Sequence, residues 1–405
     1  MKGKNPRLFF AIHYLELGGA EISLIGLLRA MDYTKYDVDL FVYSHQGELM
    51  RFIPKEVNLL PEIKAYAYIE RPMKDAMGKG LIGVVWGRLK AKWQHKRWKK
   101  EDGRRKNLQD ASIFQYVMNN VEPYLPSLYH LGEYDLAVSF LTPHNIVLNK
   151  VCAKQKVCWI HTDYTQIDVN AALELPVWNG FDKIVSISSD VTKAFLTVFP
   201  TLKNKIVEIH NILSADFVRS RAEEMTPEEV SKEMPHEEGV INLLSVGRFT
   251  HPKNYDNVPA ILKNIPTPVK WYLMGYGGDE PLIRQRIAVE GMEGKVIILG
   301  KKENPYPYIK ACDVYVQPSR YEGNAVTVRE AKMLCKPVVV TNYPTATSQI
   351  KDGIDGVIVP LDNKECADGI AHFLQDKQLQ CSIIDYLKIN DYSNAAEVEK
   401  VYRLL

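Results

Sequence analysis

Two glutamates, Glu322 and Glu330, flank the predicted start of a helix that follows an apolar strand pattern at residues 313–319. A helix N-terminus that opens with small residues presents free N–H groups and a positive dipole end, which suits a phosphate. Along such a helix the two glutamates are roughly 12 Å apart. Carboxylates accept hydrogen bonds from paired hydroxyls, so this spacing fits an extended ligand such as a nucleotide diphosphate-sugar. Glutamates are also common on exposed helices, and a solvated surface is the alternative.

Two cations, Arg248 and Lys253, follow the strand pattern at residues 240–246. Arg248 offers a planar fork of donors, and Lys253 offers a mobile point charge. Two cations at the carboxyl end of a strand suit a diphosphate that gains charge as it leaves. The alternative is a solvated pair on the protein surface.

Glycine-rich turns follow two other strand patterns. Gly18 and Gly19 precede a helical pattern, and Gly275 and Gly277 follow the strand pattern at residues 269–274. Glycines let the backbone approach a ligand closely, and a helix dipole favours an anion. The G-x-G-x-x-G fingerprint is absent at the first turn, which weighs against a dinucleotide oxidoreductase. A plain tight turn is the alternative for the first motif, and the second is weak when taken alone.

Short apolar runs rich in β-branched residues alternate with helical patterns, which predicts parallel sheets covered by helices. A chain of 405 residues exceeds what one core usually supports. We therefore predict the α/β fold class, with two doubly wound domains whose ligand crevices lie at the carboxyl ends of the strands. The predicted strands are residues 7–13, 36–43, 134–140, 156–161, 182–187, 240–246, 269–274, 295–299, 313–317, 337–341 and 356–359.

The domain boundaries follow from composition. An acidic, proline-containing stretch at residues 220–238 predicts a linker or an exposed insertion between the two halves. We predict an N-terminal domain over residues 1–212 and a C-terminal domain over residues 213–390. Apolar residues at helical spacing predict a terminal helix within residues 391–405, packed back on the first domain.

Composition excludes several classes of protein. Hydrophobic residues at 46% and charged residues at 25% exclude disordered and collagen-like chains, and a net charge of +2 provides no global field for nucleic acid. The six cysteines include no C-x-x-C pair, so neither a disulfide framework nor a zinc site is favoured. No apolar run approaches the roughly 18 residues of a membrane span, and the N-terminus lacks a signal-peptide pattern. We expect a cytoplasmic protein, soluble or peripheral to a membrane.

The motifs occur in a definite order: the first glycine turn, the two cations, the second glycine turn and the two glutamates. This order, in these strand contexts and over nearly the whole chain, resembles the retaining GT-B glycosyltransferases of family 4. The resemblance implies two Rossmann-like domains facing a central cleft, with the acceptor on the first and the nucleotide-sugar on the second. It also implies a hexosyltransferase that moves a sugar, with retained configuration, from a nucleotide diphosphate-sugar to a glycan or lipid-linked acceptor. We expect a UDP-sugar rather than a GDP-sugar, and a role in cell-surface polysaccharide synthesis.

The resemblance also implies roles for individual residues. Glu330 would hold the ribose hydroxyls, and Glu322 would contact hydroxyls of the donor sugar. Arg248 and Lys253 would stabilise the leaving diphosphate, and no metal or other cofactor is expected because these cations and the helix dipole replace it. The further donor-binding residues would be Gly18, Gly19, Gly275, Gly277, Gly323, Asn324 and Ala325. Asn324 stands where the family often has an apolar residue, so the identity of the sugar is left open.

His161 ends the predicted strand at residues 156–161. Many members of the family place a histidine here that faces the donor sugar, so the resemblance implies a catalytic position. The neighbouring Asp163 could tune its pKa, and a structural histidine is the alternative. Candidates for the acceptor side lie near predicted strand ends in the first domain, and they are His13, Tyr14, His144 and Asn145.

A basic stretch covers residues 82–106. Ten Lys or Arg residues stand against two acids between Arg88 and Lys106. Large apolar residues lie at helical spacing in its first part, namely Ile82, Val85, Trp86, Leu89 and Trp93, and Trp98 follows. Tryptophan beside cations suits an anionic membrane surface, where lipid-linked acceptors are found. Alternatively the apolar face packs on its own domain while the charges are solvated; nucleic-acid binding has less support.

Two other functions remain open from the sequence. One is an epimerase or hydrolase that has the same fold and acts on the nucleotide-sugar itself. The other is a protein that binds a nucleotide-sugar without catalysis. The presence of all four charged candidates argues against a decayed site.

Overall fold

The computed structural model describes residues 5–16, 18–100, 108–322 and 325–405. The chain forms two compact units. Unit 1 comprises the residues up to Ser214 together with Asn394–Leu405, and unit 2 comprises Ala215–Ser393. The boundaries predicted from the sequence lie at residues 212 and 390.

Unit 1 is built on a seven-stranded sheet in which all neighbouring strands are parallel. Its elements before the chain enters unit 2 are β1 (Arg7–Ile12), α1 (Gly19–Ala30), β2 (Asp37–Val42), β3 (Asn58–Leu59), α2 (Lys64–Ala67), α3 (Met73–Gly78), α4 (Ile82–Trp98), β4 (Gln109–Asp110), α5 (Ser112–Val121), β5 (Glu133–Ser139), α6 (Asn145–Lys150), β6 (Cys152–Ile160), β7 (Ile167–Asp168), α7 (Ala171–Asn179), β8 (Lys183–Ser186), α8 (Ser189–Val198) and β9 (Ile206–Glu208). The strand order is β3-β2-β1-β5-β6-β8-β9, and β4 pairs with β7 outside this sheet. The winding direction reverses between β1 and β5, which makes this the switch point where ligands bind in open α/β sheets.

Unit 2 contains a six-stranded parallel sheet. Its elements are α9 (Ala215–Ala222), α10 (Pro227–Ser231), β10 (Ile241–Val246), α11 (Val258–Leu262), β11 (Val269–Met274), α12 (Glu280–Glu290), β12 (Val296–Gly300), α13 (Tyr306–Ala311), β13 (Val314–Gln317), α14 (Val326–Met333), β14 (Val338–Thr341), α15 (Ala346–Gln349), β15 (Val357–Val359), α16 (Asn363–Gln375) and α17 (Lys377–Ile389). The strand order β12-β11-β10-β13-β14-β15 reverses between β10 and β13. The loops after these two strands therefore flank the switch point of unit 2.

The predicted α/β fold class is confirmed, and every predicted strand is present. The central strands are buried along most of their length, as in β1 and β13, because helices cover both faces of a parallel sheet. Such strands are nearly continuous apolar runs, which is why sequence patterns reveal them. The strands β3, β4, β7 and β9 were not predicted, because two or three residues are too few to show a pattern.

Residues 220–238 are not a linker between the units, because they belong to unit 2, although most of them are exposed as the alternative prediction of an exposed insertion required. This stretch contains the end of α9 and all of α10, and it buries Arg221, Val230 and Met234 in unit 2. Its acidic side chains lie on the surface, where Glu223 pairs with Lys310 at 2.6 Å. Apolar residues spaced between the glutamates anchor the segment, and average composition conceals that spacing.

The C-terminal residues pack on unit 1. The last helix, α18 (Val398–Tyr402), buries Val398 and Val401. The hydroxyl of Tyr402 accepts a hydrogen bond from the Asp32 N–H at 2.8 Å, and its ring stacks on Tyr36 with centroids 4.1 Å apart. Asn394 accepts from the Leu213 N–H at 2.8 Å. Residues 394–405 thus pack on the rest of unit 1 through several specific contacts.

The helix α4 has 17 residues and packs against α5. The contact is close at Gly87, where an added Cβ would lie 2.4 Å from the carbonyl oxygen of Asn120. In the part of the chain that the structure describes, no helix combines the length and the apolar character that a membrane span requires.

Candidate active site

The cluster of charged residues in unit 2 is formed by the two loops that flank its switch point. Lys253 comes from the loop after β10, and Glu322 comes from the loop after β13. The Lys253 Nζ lies 2.6 Å from Glu322 Oε1. Residues 69 positions apart in the sequence are thus brought together because β10 and β13 are neighbours in the sheet.

Glu322 is 8% exposed and strongly held. Besides Lys253, its Oε1 accepts hydrogen bonds from Ser319 Oγ at 2.5 Å and from Gln317 Nε2 at 3.0 Å. Three donors on one carboxylate oxygen fix the side chain and offset the cost of burying its charge. Sequence reasoning missed Gln317 and Ser319, although polar residues at the end of an apolar strand were an available signal.

Further contacts join the same two loops. Asn254 is fully buried in the left-handed conformation, with φ at 62°, and its Nδ2 donates to the Pro318 carbonyl oxygen at 2.8 Å. Arg320 forms a bidentate ion pair with Asp256, with both distances at 2.8 Å. These contacts make the loops one rigid support for Lys253 and Glu322. Sequence reasoning missed them, although Asn is one of the few non-glycine residues enriched at positive φ.

Arg248 differs from Lys253 in its environment. It is exposed, and among the described residues it makes no hydrogen bond or ion pair with another side chain. A free guanidinium that follows a strand at the switch point is available to bind an anionic group. The structure therefore places both predicted cations in one loop, one of them paired and one of them available.

The second glycine turn packs backbone against backbone. At Gly275, where φ is 148°, an added Cβ would lie 1.8 Å from the Gly247 carbonyl oxygen. At Gly277, an added Cβ would lie 2.2 Å from the Phe249 carbonyl oxygen. The Phe249 N–H donates to the carbonyl oxygen of Tyr276 at 2.8 Å. These glycines let the loop after β11 support the loop that carries Arg248 and Lys253. Their predicted contact with a donor stays a prediction.

Glu330 lies in α14 and is 7% exposed. The hydroxyl of Tyr306, in α13, donates to Glu330 Oε1 at 2.8 Å. Burial raises the pKa of Glu330, and the Tyr306 hydrogen bond opposes this rise. One carboxylate oxygen therefore has a protein donor, while the other can accept from a ligand. Tyr306 was not identified from the sequence, because it precedes Glu330 by 24 residues.

The start of α14 differs in detail from the prediction. The Ala325 N–H, predicted to help bind the donor, donates instead to Gln349 Oε1 at 3.0 Å. The Thr345 hydroxyl donates to the Glu322 carbonyl oxygen at 2.7 Å. The loop before this helix is thus anchored by the segment around α15. Gly323 and Asn324 lie outside the described residues, so their predicted roles stay predictions.

The first glycine turn begins α1 in unit 1. Gly18 is the N-cap of the helix, and Gly19 is its first residue. An added Cβ at Gly18 would lie 2.1 Å from Glu21 Oε2, whereas the space around Gly19 is open. Glu21 is 7% exposed, and burial raises the pKa of its carboxyl group. A carboxylate of the protein therefore lies beside the helix start where an anionic ligand was expected.

Three histidines follow three adjacent strands of unit 1: His13 after β1, His144 after β5 and His161 after β6. The His161 ring packs on Phe140 with centroids 4.7 Å apart. Among the described residues, neither ring nitrogen of His161 has a hydrogen-bond partner, and the same holds for Nε2 of His13 and of His144. Unpartnered buried nitrogens are costly and are commonly satisfied by a ligand or water.

The protonation of His161 is set by burial. Burial lowers the pKa of His161 to about 3. Asp163 was one candidate for tuning this pKa, but its carboxylate accepts from the Thr165 N–H at 2.8 Å and from the Thr165 hydroxyl at 2.6 Å. Asp163 is not among the causes of the His161 pKa shift, and its carboxylate is hydrogen-bonded within its own turn. The imidazole is neutral at physiological pH, so it can exchange hydrogen bonds but does not carry a positive charge.

The candidates for the acceptor side separate into two pairs. His13 and Tyr14 line an open cavity of about 810 Å³ in unit 1, together with Glu70. The His13 Nδ1 lies 2.6 Å from Glu70 Oε1. In contrast, His144 is 1% exposed and packs on a tryptophan, and Asn145 is 4% exposed within a network of side-chain amides. The first pair can meet a ligand in this cavity, whereas the second pair supports the fold.

No group of three or more His, Cys, Asp or Glu side chains within the described ranges is arranged to hold a metal ion. The prediction that the site needs no metal or other cofactor stays a prediction. The four charged residues predicted for unit 2 thus comprise one exposed guanidinium, one paired ammonium and two buried carboxylates.

Similarity to known proteins covers both the sequence and the fold. Residues 227–389, inside unit 2, match the family described as glycosyl transferases group 1. A 41.2 kDa protein of the cps region of Klebsiella pneumoniae is 30% identical over 192 residues, which are 44% of this chain and 49% of that protein. A Campylobacter jejuni protein named as an N-acetylgalactosaminyltransferase acting on a diphospho-undecaprenol-linked sugar is 27% identical over 140 residues, 34% of this chain and 38% of that protein. The matches thus span less than half the length of these relatives.

The fold is shared over nearly the whole chain. The crystal structure of Anabaena HepE in complex with UDP-glucose has a TM-score of 0.57 and 16% identity, covering 99% of this chain and 100% of that one. Identity at this level supports the fold alone, and the sequence similarity to the family lies within unit 2. The chain therefore has the fold of the GT-B glycosyltransferases, and residues 227–389 match the glycosyl transferases group 1 family.

Proposed function

We propose that the protein is a retaining glycosyltransferase that moves a sugar from a nucleotide diphosphate-sugar to a glycan or lipid-linked acceptor. The match to the glycosyl transferases group 1 family and the activity in the name of the Campylobacter relative support the transfer of a sugar. The cps region of the Klebsiella relative supports a role in cell-surface polysaccharide synthesis. Retention of configuration rests on the resemblance to family 4.

The observation that carries this proposal is the contact between Lys253 and Glu322 at the switch point, beside the exposed Arg248. A nucleotide diphosphate leaves with increased negative charge, which two nearby cations stabilise more strongly in the transition state than in the ground state. Glu322 holds Lys253 in place and has a second oxygen that can accept from a sugar hydroxyl. This arrangement serves donor cleavage without requiring a nucleophile from the protein.

Three further roles belong to the proposal. Glu330 binds the ribose hydroxyls through the oxygen that Tyr306 does not contact. The neutral His161 exchanges a hydrogen bond with the donor sugar, which its unpartnered ring nitrogens favour. UDP is preferred over GDP, as the UDP-glucose bound to the Anabaena neighbour supports. We also propose a cytoplasmic location, peripheral on the inner face of the plasma membrane.

The experiment is a thermal-shift panel of UDP-sugars and GDP-sugars on the wild type and on Arg248→Gln. We expect one UDP-sugar to raise the melting temperature, because a ligand that binds the native state stabilises it. Arg248→Gln should weaken that affinity by roughly 10-fold to 100-fold, since a charge-assisted hydrogen bond contributes about 1.5–3 kcal/mol. Arg286→Gln is the matched control, because Arg286 is an exposed arginine on α12 in the same unit.

Product analysis without an acceptor separates the rival functions. A transferase should then hydrolyse the donor only slowly, whereas rapid hydrolysis or epimerisation would identify the alternative enzymes. A donor that binds but is never consumed with any acceptor would favour a binding protein. Equal affinity for the donor in Arg248→Gln and the wild type would contradict the role of the guanidinium.

A further inference from the structure

The helix α4 presents a ridge of large apolar side chains to solvent. Ile82 is 75% exposed, Trp86 61%, Leu89 47% and Trp93 63%. Their spacing of four, three and four residues puts them on one face of the helix. We call these four residues the α4 ridge. Contiguous exposed apolar surface of this kind marks an interaction site on soluble domains.

The opposite face of α4 packs on unit 1 through smaller side chains. Val84, Gly87 and Ala91 are buried, and Gly87 brings the helix against the backbone of Asn120. Trp98 is also buried, in a cluster with Ala91. The alternative in which the large apolar stripe packs on its own domain is therefore wrong for the ridge. Small residues permit the closer helix contact, so their face is the buried one.

Cations border the ridge on both sides. At about 100° per residue, Lys90 and Arg97 lie on one side of it, and Lys92 and Lys96 lie on the other. All four are exposed, and within the ranges that the structure describes none of them forms an ion pair. The sequence from residue 82 to residue 100 contains no Asp or Glu. The charged residues of α4 that border the ridge are therefore all positive.

Two other cations of this segment have internal partners. Lys99 Nζ lies 2.7 Å from Asp110 Oδ2, and Arg88 Nη1 donates to the Tyr68 carbonyl oxygen at 3.4 Å. These two residues hold α4 on unit 1. They are therefore unsuitable for testing the surface charge, whereas the four border cations are suitable.

We propose that the α4 ridge docks on the surface of an anionic lipid bilayer. Tryptophan and aliphatic side chains would enter the headgroup region, while the bordering lysines and arginine would contact anionic headgroups. A second copy of the chain fits less well, since a symmetric contact would oppose two positive borders. Nucleic acid would leave Ile82 and Leu89 without a favourable environment. A bilayer satisfies both the apolar centre and the positive border.

This docking surface is independent of sugar transfer. The ridge belongs to unit 1, whereas the predicted donor-binding cluster belongs to unit 2. A lipid-linked acceptor would be found at the same bilayer, so docking would raise its local concentration around unit 1. A failure of vesicle binding would remove the peripheral location proposed above but would leave sugar transfer untouched, because vesicle binding and donor binding are measured in different assays.

Vesicle sedimentation tests the proposal with the full-length protein. The wild type should sediment with vesicles of phosphatidylcholine and phosphatidylglycerol, more weakly at high salt, and should remain in solution with phosphatidylcholine alone. Lys90→Gln with Lys96→Gln should lower the affinity by roughly 30-fold, because each cation near an anionic surface contributes about 1 kcal/mol. Trp86→Ser with Trp93→Ser should lower it by at least about 10-fold, because apolar burial contributes to interfacial binding.

Matched controls come from exposed residues of unit 2. Val289 and Ile389 are 65% and 82% exposed, so Val289→Ser with Ile389→Ser should bind vesicles like the wild type. Because both ridge tryptophans are largely exposed, their replacement should leave the melting temperature and the donor affinity unchanged. That result would show that the variant is folded and that lost vesicle binding is a surface effect.

Three results would overturn the proposal. The first is a wild type that stays in solution with anionic vesicles at low salt. The second is equal sedimentation of the ridge variants and the wild type. The third is a wild type that does not bind vesicles but forms dimers in gel filtration or binds nucleic acid, together with ridge variants that lose this dimerisation or nucleic-acid binding. The last result would assign the ridge to a different partner.

Discussion

The two glutamates of unit 2 have similar exposure but different partners. Glu322 faces an ammonium and two neutral donors on one oxygen, whereas Glu330 faces a single tyrosine hydroxyl. A buried carboxylate with few donors is costly to ionise, and its pKa rises. The ionised Glu330 therefore lowers the stability of the folded protein, and a ligand with hydroxyl donors could restore this stability. Perturbed groups of this kind are common at functional sites.

Glu330→Gln should separate stability from function. Because burial raises the pKa of Glu330, the folded protein binds this proton more readily than the unfolded chain. The wild type therefore loses stability relative to the variant as pH rises above the ordinary value of 4.5, and the difference is complete above the raised pKa. The glutamine can still accept from Tyr306. Affinity for the donor should fall by roughly 10-fold to 100-fold, as for other hydrogen bonds to charged groups.

Thermal unfolding across pH, together with calorimetry of donor binding, checks this prediction. Glu293→Gln is the control, because Glu293 is an exposed glutamate of the same unit. A stability difference between Glu330→Gln and the wild type that stays constant as pH rises would contradict the pKa argument. An unchanged donor affinity would contradict the contact with ribose.

At the scale of elements, glycine positions decide which faces meet. In α4, Gly87 allows contact with the backbone of α5 and thereby directs the ridge outward. In unit 2, Gly275 and Gly277 allow one loop to pack under another. In both places the glycine serves contact between backbones within the protein. A glycine in the sequence is equally consistent with contact with a ligand, so only the packing of the backbone distinguishes these two roles.

Two helical glycines should respond oppositely to alanine. Gly87→Ala should destabilise unit 1 by about 1–3 kcal/mol, because the added methyl group overlaps the Asn120 carbonyl oxygen. Gly78→Ala, at the end of α3, should stabilise it by about 0.5–1 kcal/mol, because no atom lies within 4 Å of the added group. Urea unfolding of the two variants measures both signs. Equal changes in the free energy of unfolding would show that helix propensity alone determines the effect of alanine at Gly87.

At the scale of the whole molecule, unit 1 is discontinuous in sequence. The chain leaves it after Ser214, forms unit 2 and returns with Asn394–Leu405. Asn394 contacts both Leu213 and Asn211, so the departure and return points are joined directly. The stability of unit 1 therefore depends on residues at the end of the chain.

Val401→Ala should weaken unit 1 specifically. Val401 is fully buried in α18, and loss of two methyl groups there should cost about 1–3 kcal/mol through lost burial and a residual cavity. Hydrogen exchange should show faster exchange in β1 and α1 and no change in β10 or β11. Leu405→Ala, at a 42% exposed site, is the control. Equal loss of protection in both units would contradict the assignment of the terminal residues to unit 1.

Much of the candidate site was predictable because its residues follow strands. Arg248, Lys253 and Glu322 are adjacent to apolar runs, and parallel sheets collect the ends of such runs at one edge. The partners of these residues were not predictable. Tyr306 and Glu330 meet because α13 and α14 pack together, and no local pattern encodes that contact. Asp163 shows that proximity in sequence does not establish a contact, because this neighbour of His161 accepts a hydrogen bond from Thr165.

The strands, the α/β fold class and the order of the charged motifs were predictable from the sequence, because each depends on residues that are close along the chain. Tertiary packing determines which face of α4 is buried, since both faces carry apolar residues and Gly87 permits a close neighbour on one of them. It also decided that Lys253 pairs with Glu322 and that residues 220–238 pack within unit 2. These outcomes depend on contacts between distant segments, and such contacts exist only once the sheets have formed.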